Sequence, residues 1–168
     1  HIGTVFHMAK ADGFTFSQNY RAPSAEEIAH REAAWAVKRE VQDAWDKVSR
    51  DHAARTANIV WENANTRPAD AGFPYLSDKG ITDPAVLANA RINRFKDEDR
   101  LVIPMYDRPN HIVNRQAIDA NGGKFFLPGG EVGGAYGKIA APNSDWTDGV
   151  YLAEGFATAA SIHMATGK

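Results

Sequence analysis

Val150-Tyr-Leu-Ala-Glu154-Gly155-Phe-Ala-Thr-Ala-Ala-Ser-Ile-His163 is the stretch around which the rest of the chain is organised. Its apolar start, residues 150–153, predicts a short strand, and the alanine-rich run from about Phe156 predicts a helix. Glycine at the junction permits a tight turn and a close approach of a ligand to the backbone. A carboxylate at the end of a strand is where open α/β sheets bind ligands and metals. The pattern is equally compatible with an ordinary strand-turn-helix that carries an exposed glutamate.

The preceding segment predicts a set of short strands. These strands cover residues 101–103, 111–113, 124–127 and 136–139. Asp107-Arg-Pro-Asn110 and Ala120-Asn-Gly-Gly123 favour turns between them. The glycine-rich run at residues 128–134 lacks the lysine spacing of a P-loop, so a flexible hairpin tip is favoured over a phosphate cradle.

The N-terminal part predicts a hairpin followed by a long helix. Asp12-Gly13 lies between apolar runs within residues 2–20, which favours a β-hairpin. Ser24 and Glu27 have the spacing of a capping box, and no proline or glycine follows until after residue 65. This stretch is either one long helix with a kink or two helices end to end. Asp83-Pro84 predicts the start of a further short helix.

An amphipathic stripe runs along the predicted long helix. Its members alternate in spacing between three and four residues: Ala34, Val37, Val41, Ala44 and Val48, widened by Trp45. The stripe loses register around residues 49–52 and resumes at Ala53, Ala57, Val60, Trp61 and Ala64. Trp35, Trp45 and Trp61 are interpreted as packing anchors in preference to base-stacking platforms.

Composition limits the possible classes of protein. The chain has 168 residues, which suffices for one domain or two small ones. Its net charge of −2 means that any nucleic-acid-binding surface must be local. The absence of cysteine excludes disulfides and cysteine-ligated zinc, and is compatible with a cytoplasmic protein. No apolar run reaches membrane-spanning length, so no membrane partner is expected.

The motif Leu152-Ala-Glu-Gly-Phe-Ala-Thr-Ala-Ala-Ser-Ile-His163 resembles the first motif of a Toprim domain, in the form found in phage and plasmid primases. The upstream order also resembles the strand-rich segment that precedes Toprim in those primases and, more distantly, in DnaG-type primases. Three runs carry that likeness: Leu101-Val-Ile-Pro-Met-Tyr-Asp107, Ile112-Val-Asn-Arg-Gln-Ala-Ile118 and Gly123-Lys-Phe-Phe-Leu-Pro-Gly-Gly130. The resemblance covers roughly residues 72–168.

The resemblance implies a nucleotidyltransferase that synthesises short primers on a single-stranded DNA template from nucleoside triphosphates, with Mg²⁺ or Mn²⁺ as cofactor. Glu154 is implied to be a metal ligand or general base. Lys124 and Arg100 match basic positions of the family, and Arg115 lies on the intervening strand. These three are expected to face the Glu154 carboxylate and to contact nucleotide or nucleic-acid phosphate. A surface charge on a sheet is the alternative for each.

The expected fold class is α+β: an N-terminal β-hairpin and long helix, a mixed β core, and the first βα unit of a Toprim fold. The expected domains are residues 1–67, 68–145 and 146–168, the last being an incomplete Toprim. A second acidic motif, Asp-x-Asp, is expected after Lys168, so this segment alone is expected to be inactive. A replicative helicase is an expected partner and the bacterial cytoplasm the expected location. The alternatives are a non-catalytic module that binds single-stranded DNA or docks a helicase, and a Toprim nuclease or topoisomerase-like enzyme.

Overall fold

The computed structural model describes residues 22–63, 66–140 and 149–167. The chain divides into two compact units, His1–Glu40 and Val41–Lys168. The hairpin predicted within residues 2–20 lies outside the described residues. The domain boundaries expected after residues 67 and 145 stay predictions.

Helix α1 spans Ala25–Glu62 as a single helix and begins at the predicted capping box. The Ser24 hydroxyl accepts a hydrogen bond from the Glu27 amide at 3.2 Å, and the Glu27 carboxylate accepts one from the Ser24 amide at 2.7 Å. The first N–H groups of a helix have no partner within the helix, so these reciprocal bonds define where α1 starts.

Much of α1 does not pack as the sequence led us to expect. Trp35 and Trp45 are 70% and 66% exposed, so their interpretation as packing anchors is wrong. Trp61 does pack, since the Arg91 guanidinium carbon lies 4.2 Å from the centre of its ring. The buried residues of α1 are Ala53 and Ala57. The helix therefore packs through small residues of the resumed stripe near its C-terminal end, and the stripe from Ala34 to Val48 is left exposed.

Five antiparallel strands form one sheet in the order β1-β2-β3-β4-β5. They span Arg67–Pro68, Arg91–Phe95, Glu98–Tyr106, Ile112–Ile118 and Lys124–Phe126. The predicted turns connect β3 to β4 and β4 to β5, with φ of 72° at Asn110 and 87° at Gly122. Residues that tolerate positive φ stand at both positions, as tight hairpin turns require.

The main core lies on one face of this sheet. Three short helices contribute to it: α2 (Pro74–Asp78), α3 (Pro84–Leu87) and α4 (Phe156–Thr166). Their buried residues Leu76, Val86 and Phe156 pack with Leu101 of β3 and Ile118 of β4. Helix α3 begins at its predicted cap, where Asp83 Oδ1 accepts a 2.7 Å hydrogen bond from the Ala85 amide.

The glycine-rich loop at residues 128–134 packs against α1 at its first two glycines. A Cβ atom added at Gly129 would lie 2.7 Å from Ser49 Cβ. One added at Gly130 would lie 2.5 Å from Asn114 Nδ2 and 3.0 Å from Ala53 Cβ. Glycine at these two positions therefore permits a close approach of the loop to α1. The interpretation of this run as a flexible hairpin tip did not include such packing.

Two predicted strands are absent from the described residues. Tyr136 forms only an isolated bridge with Tyr106, and residues 149–153 form no strand. Leu152 is 91% exposed, so the expectation of a short strand at residues 150–153 is wrong. A strand needs a neighbour to accept and donate its backbone hydrogen bonds, and among the described residues this segment has none. The helix predicted from Phe156 is confirmed as α4.

The predicted α+β fold class is confirmed: a long helix and short helices accompany a five-stranded sheet. The sheet is wholly antiparallel in its described pairings. Among the described residues, no helix combines the length and the apolarity needed to cross a membrane.

Candidate nucleic-acid interface

Arg100 on β3 and Arg115 on β4 lie on the sheet face opposite the main core. In β3 the side chains alternate between faces, and Leu101, next to Arg100, packs in the core. Leu101 pairs with Ile118, and Arg115, three residues before Ile118, therefore points the other way. The alternation of two neighbouring strands thus brings two arginines to one face.

The Arg100 guanidinium lies between two aromatic rings. Its central carbon is 4.7 Å from the centre of the Phe95 ring and 4.6 Å from the centre of the Phe125 ring. Cation–π contact of this kind holds a guanidinium in place without neutralising it. Both rings remain partly exposed, at 42% and 43%. Arg100 also reaches Glu98 at 3.5 Å, but Glu98 is largely exposed, so this ion pair stabilises little.

Arg115 is held in an environment that disfavours its charge. Burial lowers the pKa of its guanidinium, and the positive charge of Arg100 lowers that pKa further. The Nε atoms of Arg100 and Arg115 are both buried and have no hydrogen-bond partner among the residues that the structure describes. Buried donors that lack a partner cost free energy, and two neighbouring cations repel. An anion placed beside the pair would relieve both effects.

Lys124 lies on the other face of the sheet. It pairs with Ile118 across β4 and β5, so its side chain starts on the core face, at the outer strand of the sheet. A Cβ atom added at Gly155 would lie 3.5 Å from Lys124 Nζ, which places the ammonium group at the turn before α4. The structure therefore brings Lys124 next to the residue that follows Glu154.

Glu154 is exposed and immediately precedes Gly155, the N-cap of α4. The turn is fixed because Phe156 and Ala160 of α4 are buried in the main core. A carboxylate just before a helix N-terminus is favoured by the partial positive charge there. Glu154 therefore ends an exposed irregular segment, in place of the strand that was expected.

The four site residues predicted from sequence form two groups. Arg100 and Arg115 share one face of the sheet, while Lys124 and the Glu154–Gly155 turn lie on the core side. Strand β5 contributes to both faces, because Lys124 and Phe125 are consecutive residues whose side chains point to opposite sides of the sheet. Sequence reasoning placed all four together because it did not assign faces to the strands.

Phe95 and Phe125 were missed as members of the site. No strand was predicted at residues 91–95, although Arg91-Ile-Asn-Arg-Phe95 is followed by a turn and then by β3. The sequence pattern that could have identified them is the alternation of aromatic and basic residues along neighbouring strands, because such side chains contact each other when the strands pair.

The described residues do not by themselves build a metal site. Within residues 22–63, 66–140 and 149–167, no group of three or more His, Asp or Glu side chains is placed to hold a metal ion. Glu154 offers a single carboxylate, and Mg²⁺ in proteins is bound by one or two carboxylates together with water and phosphate oxygens, so most ligands of a metal ion held at Glu154 would come from elsewhere.

No family model matches this chain, and no solved structure matches it significantly.

Proposed function

We propose that this chain is part of a DNA primase and that its Arg100–Arg115 face binds the single-stranded template. The observation that carries the proposal is the position of the Arg100 guanidinium between the Phe95 and Phe125 rings. Arg115 lies beside it, and burial together with the charge of Arg100 lowers the pKa of Arg115. Single strands are bound by this combination, in which cations contact the phosphates and exposed aromatic rings stack with bases. The chain's net charge is −2, so such binding would have to be local, and the Arg100–Arg115 face is a local pair of cations.

Lys124 and Glu154, on the core side of the sheet, would bind the nucleoside triphosphate and its metal ion. Lys124 at the Gly155 turn would contact phosphate oxygens, and Glu154 would act as a ligand of Mg²⁺ or Mn²⁺ or as a general base. The remaining carboxylates would come from the Asp-x-Asp motif that the Toprim resemblance implies. A bound Mg²⁺ or Mn²⁺ would neutralise negative charge on the transferred phosphoryl group. The same proposal includes a bacterial cytoplasmic location and a replicative helicase as partner.

A non-catalytic module that binds single-stranded DNA is the second candidate. The separation of the Arg100–Arg115 face from Glu154 by the sheet favours it, because that face can bind a strand without any contribution from the carboxylate. Both candidates share the binding surface and differ only in the role of Glu154.

Binding is tested by fluorescence anisotropy with a labelled oligothymidine. Arg100→Gln should weaken binding by about tenfold and lower the salt slope by about one, because each lost phosphate contact removes one released counterion. Arg108→Gln, at the exposed β3–β4 turn, is the matched control and should leave affinity unchanged. Equal losses in the two variants would remove the Arg100 face from the interaction.

Catalysis is tested by primer synthesis with the full-length protein carrying Glu154→Gln or Lys124→Ala. Loss of synthesis with unchanged DNA affinity in the glutamate variant supports the primase. Unimpaired synthesis in that variant removes Glu154 from the mechanism. A full-length protein that binds DNA but makes no primers with the unaltered sequence supports the non-catalytic module.

A further inference from the structure

Helix α1 carries an apolar stripe that no other segment of the described residues covers. Its residues follow the alternating three- and four-residue spacing of a coiled-coil seam, with Ala34, Val41 and Val48 at position a and Val37 and Ala44 at position d. All five are exposed. Valines at more than half exposure on successive turns are unusual unless another surface covers them.

We infer that this seam binds the same seam of a second copy of the chain, with the two helices antiparallel. The residues that flank the seam favour this pairing and this orientation. Position g holds Glu40 and Lys47, and position e holds Lys38 and Trp45. When two antiparallel helices pair, position g faces g and position e faces e across the seam.

One register satisfies every flanking residue. If Val41 of one helix packs beside Ala44 of the other, Glu40 faces Lys47 of the second copy, and the two-fold symmetry repeats this ion pair. On the other side Lys38 faces Trp45 of the second copy, which gives two cation–π contacts. Val37 then packs beside Val48, so the four inner layers of the seam are apolar, while Ala34 lies beside Asp51 of the second copy at each end.

The neighbouring arrangements are disfavoured by like charges. A shift of one heptad in one direction places Glu40 against Glu40 and Lys38 against Lys38 of the second copy. The opposite shift places Lys47 against Lys47. Parallel helices pair position g with e, which leaves Glu40 facing Trp45 and Lys47 facing His52, with no opposite charges matched. Attraction in one register and repulsion in the others is what specific pairing requires.

The seam covers only about two heptads, so the association is expected to be weak and to depend on protein concentration. It is measured by analytical ultracentrifugation of the 168-residue chain over a wide concentration range. The inference expects the mass to approach that of a dimer at high concentration. A mass that stays monomeric throughout would overturn it and leave the seam to another partner or to solvent.

Charge swapping tests the register. Glu40→Lys and Lys47→Glu should each weaken association by about tenfold, and the double variant should restore it, since the pair is re-formed with reversed signs. Arg39→Glu lies at position f, on the far side of the helix, and is the matched charge control. Equal effects of Glu40→Lys and Arg39→Glu, or no rescue in the double variant, would overturn the proposed register.

Disulfide trapping tests the orientation, because the chain has no cysteine of its own. Val37→Cys mixed with Val48→Cys should give a cross-linked heterodimer, whereas each variant alone should give none. Cross-linking of each variant with itself would indicate parallel helices and overturn the antiparallel arrangement. Circular dichroism of both variants checks that α1 is retained, so a failure to cross-link counts against the inference.

Discussion

Asn114 Nδ2 donates a 3.0 Å hydrogen bond to the carbonyl oxygen of Glu131, and this bond ties the middle of the sheet to the glycine-rich loop. The Asn114 Oδ1 atom accepts from the backbone amides of Leu127 and Arg115, at 3.1 and 2.8 Å. The Asn114 residue is fully buried. One side chain therefore satisfies three backbone groups from two segments of the chain.

Asn114→Ala should lower the free energy of unfolding by about 2–4 kcal/mol, because it leaves backbone donors and an acceptor without partners. Urea denaturation measures the change. Asn121→Ala, in the exposed β4–β5 turn, is the control and should change stability by less than about 0.5 kcal/mol. A similarly small change at Asn114 would show that water replaces its hydrogen bonds.

Gly130→Ala should be destabilising by about 1–3 kcal/mol, since the new Cβ atom would clash with Asn114 Nδ2 and Ala53 Cβ. Gly133 lies in the same loop and has no atom within 4 Å of an added Cβ. Gly133→Ala should therefore leave the free energy of unfolding within about 0.5 kcal/mol of the original value. Thermal and urea unfolding of the two variants side by side make the comparison. Equal stabilities would mean that loop and helix are not in close contact in solution.

Local signals in the sequence predicted the features that depend on neighbouring residues. The capping box at Ser24, the cap at Asp83 and the turn at Gly122 each depend on contacts within a few positions, and all are confirmed. The strand expected at residues 150–153 failed because apolar composition does not supply a partner strand. Burial of the stripe from Ala34 to Val48 also failed, because a periodic stripe indicates which face is apolar and not what covers it. The resumed stripe is buried at Ala53 and Ala57.

The residues of the candidate site stay a prediction, and their expected grouping around one carboxylate differs from their arrangement in the structure. Arg100 and Lys124 were expected to face one carboxylate, yet strand alternation places them on opposite faces of the sheet. Deciding this from sequence required the register between β3, β4 and β5, which depends on contacts distant in the chain. The role of Phe125 follows from the same register, since only pairing brings its ring beside Arg100.

Arg115→Met should leave the free energy of unfolding unchanged or raise it by about 1 kcal/mol, although the residue is partly buried. Burial and the charge of Arg100 both lower the pKa of Arg115, so removing its charge removes an unfavourable interaction. Arg91→Met is the matched comparison. Arg91 donates to the Trp61 carbonyl oxygen and stacks on the Trp61 ring, so its loss should cost about 1–2 kcal/mol. Urea denaturation at fixed salt measures both, and the reverse order of stabilities would contradict this account of the arginine pair.

Alkaline pH should destabilise the fold through Tyr75. Burial in the main core raises the pKa of its phenol above the usual value near 10. Below about pH 10 the phenol is protonated in both states, so its contribution to stability is fully present. As the pH rises further, the unfolded chain releases this proton while the folded chain retains it, and stability is lost as the pH passes through the folded pKa. Tyr75→Phe should therefore reduce the slope of unfolding free energy against pH between about pH 9 and 11.

The control is Tyr151→Phe, which alters a tyrosine in the exposed segment before Glu154 and should leave that slope unchanged. Denaturant unfolding at a series of pH values gives the slopes directly. Tyr106 adds a second contribution of the same sign, because burial and the nearby Tyr136 raise its pKa, with Arg91 opposing them. The Tyr75→Phe/Tyr106→Phe double variant should thus have a shallower slope than either single variant. Identical slopes in the original protein and the double variant would mean that neither phenol is withdrawn from water in the folded state.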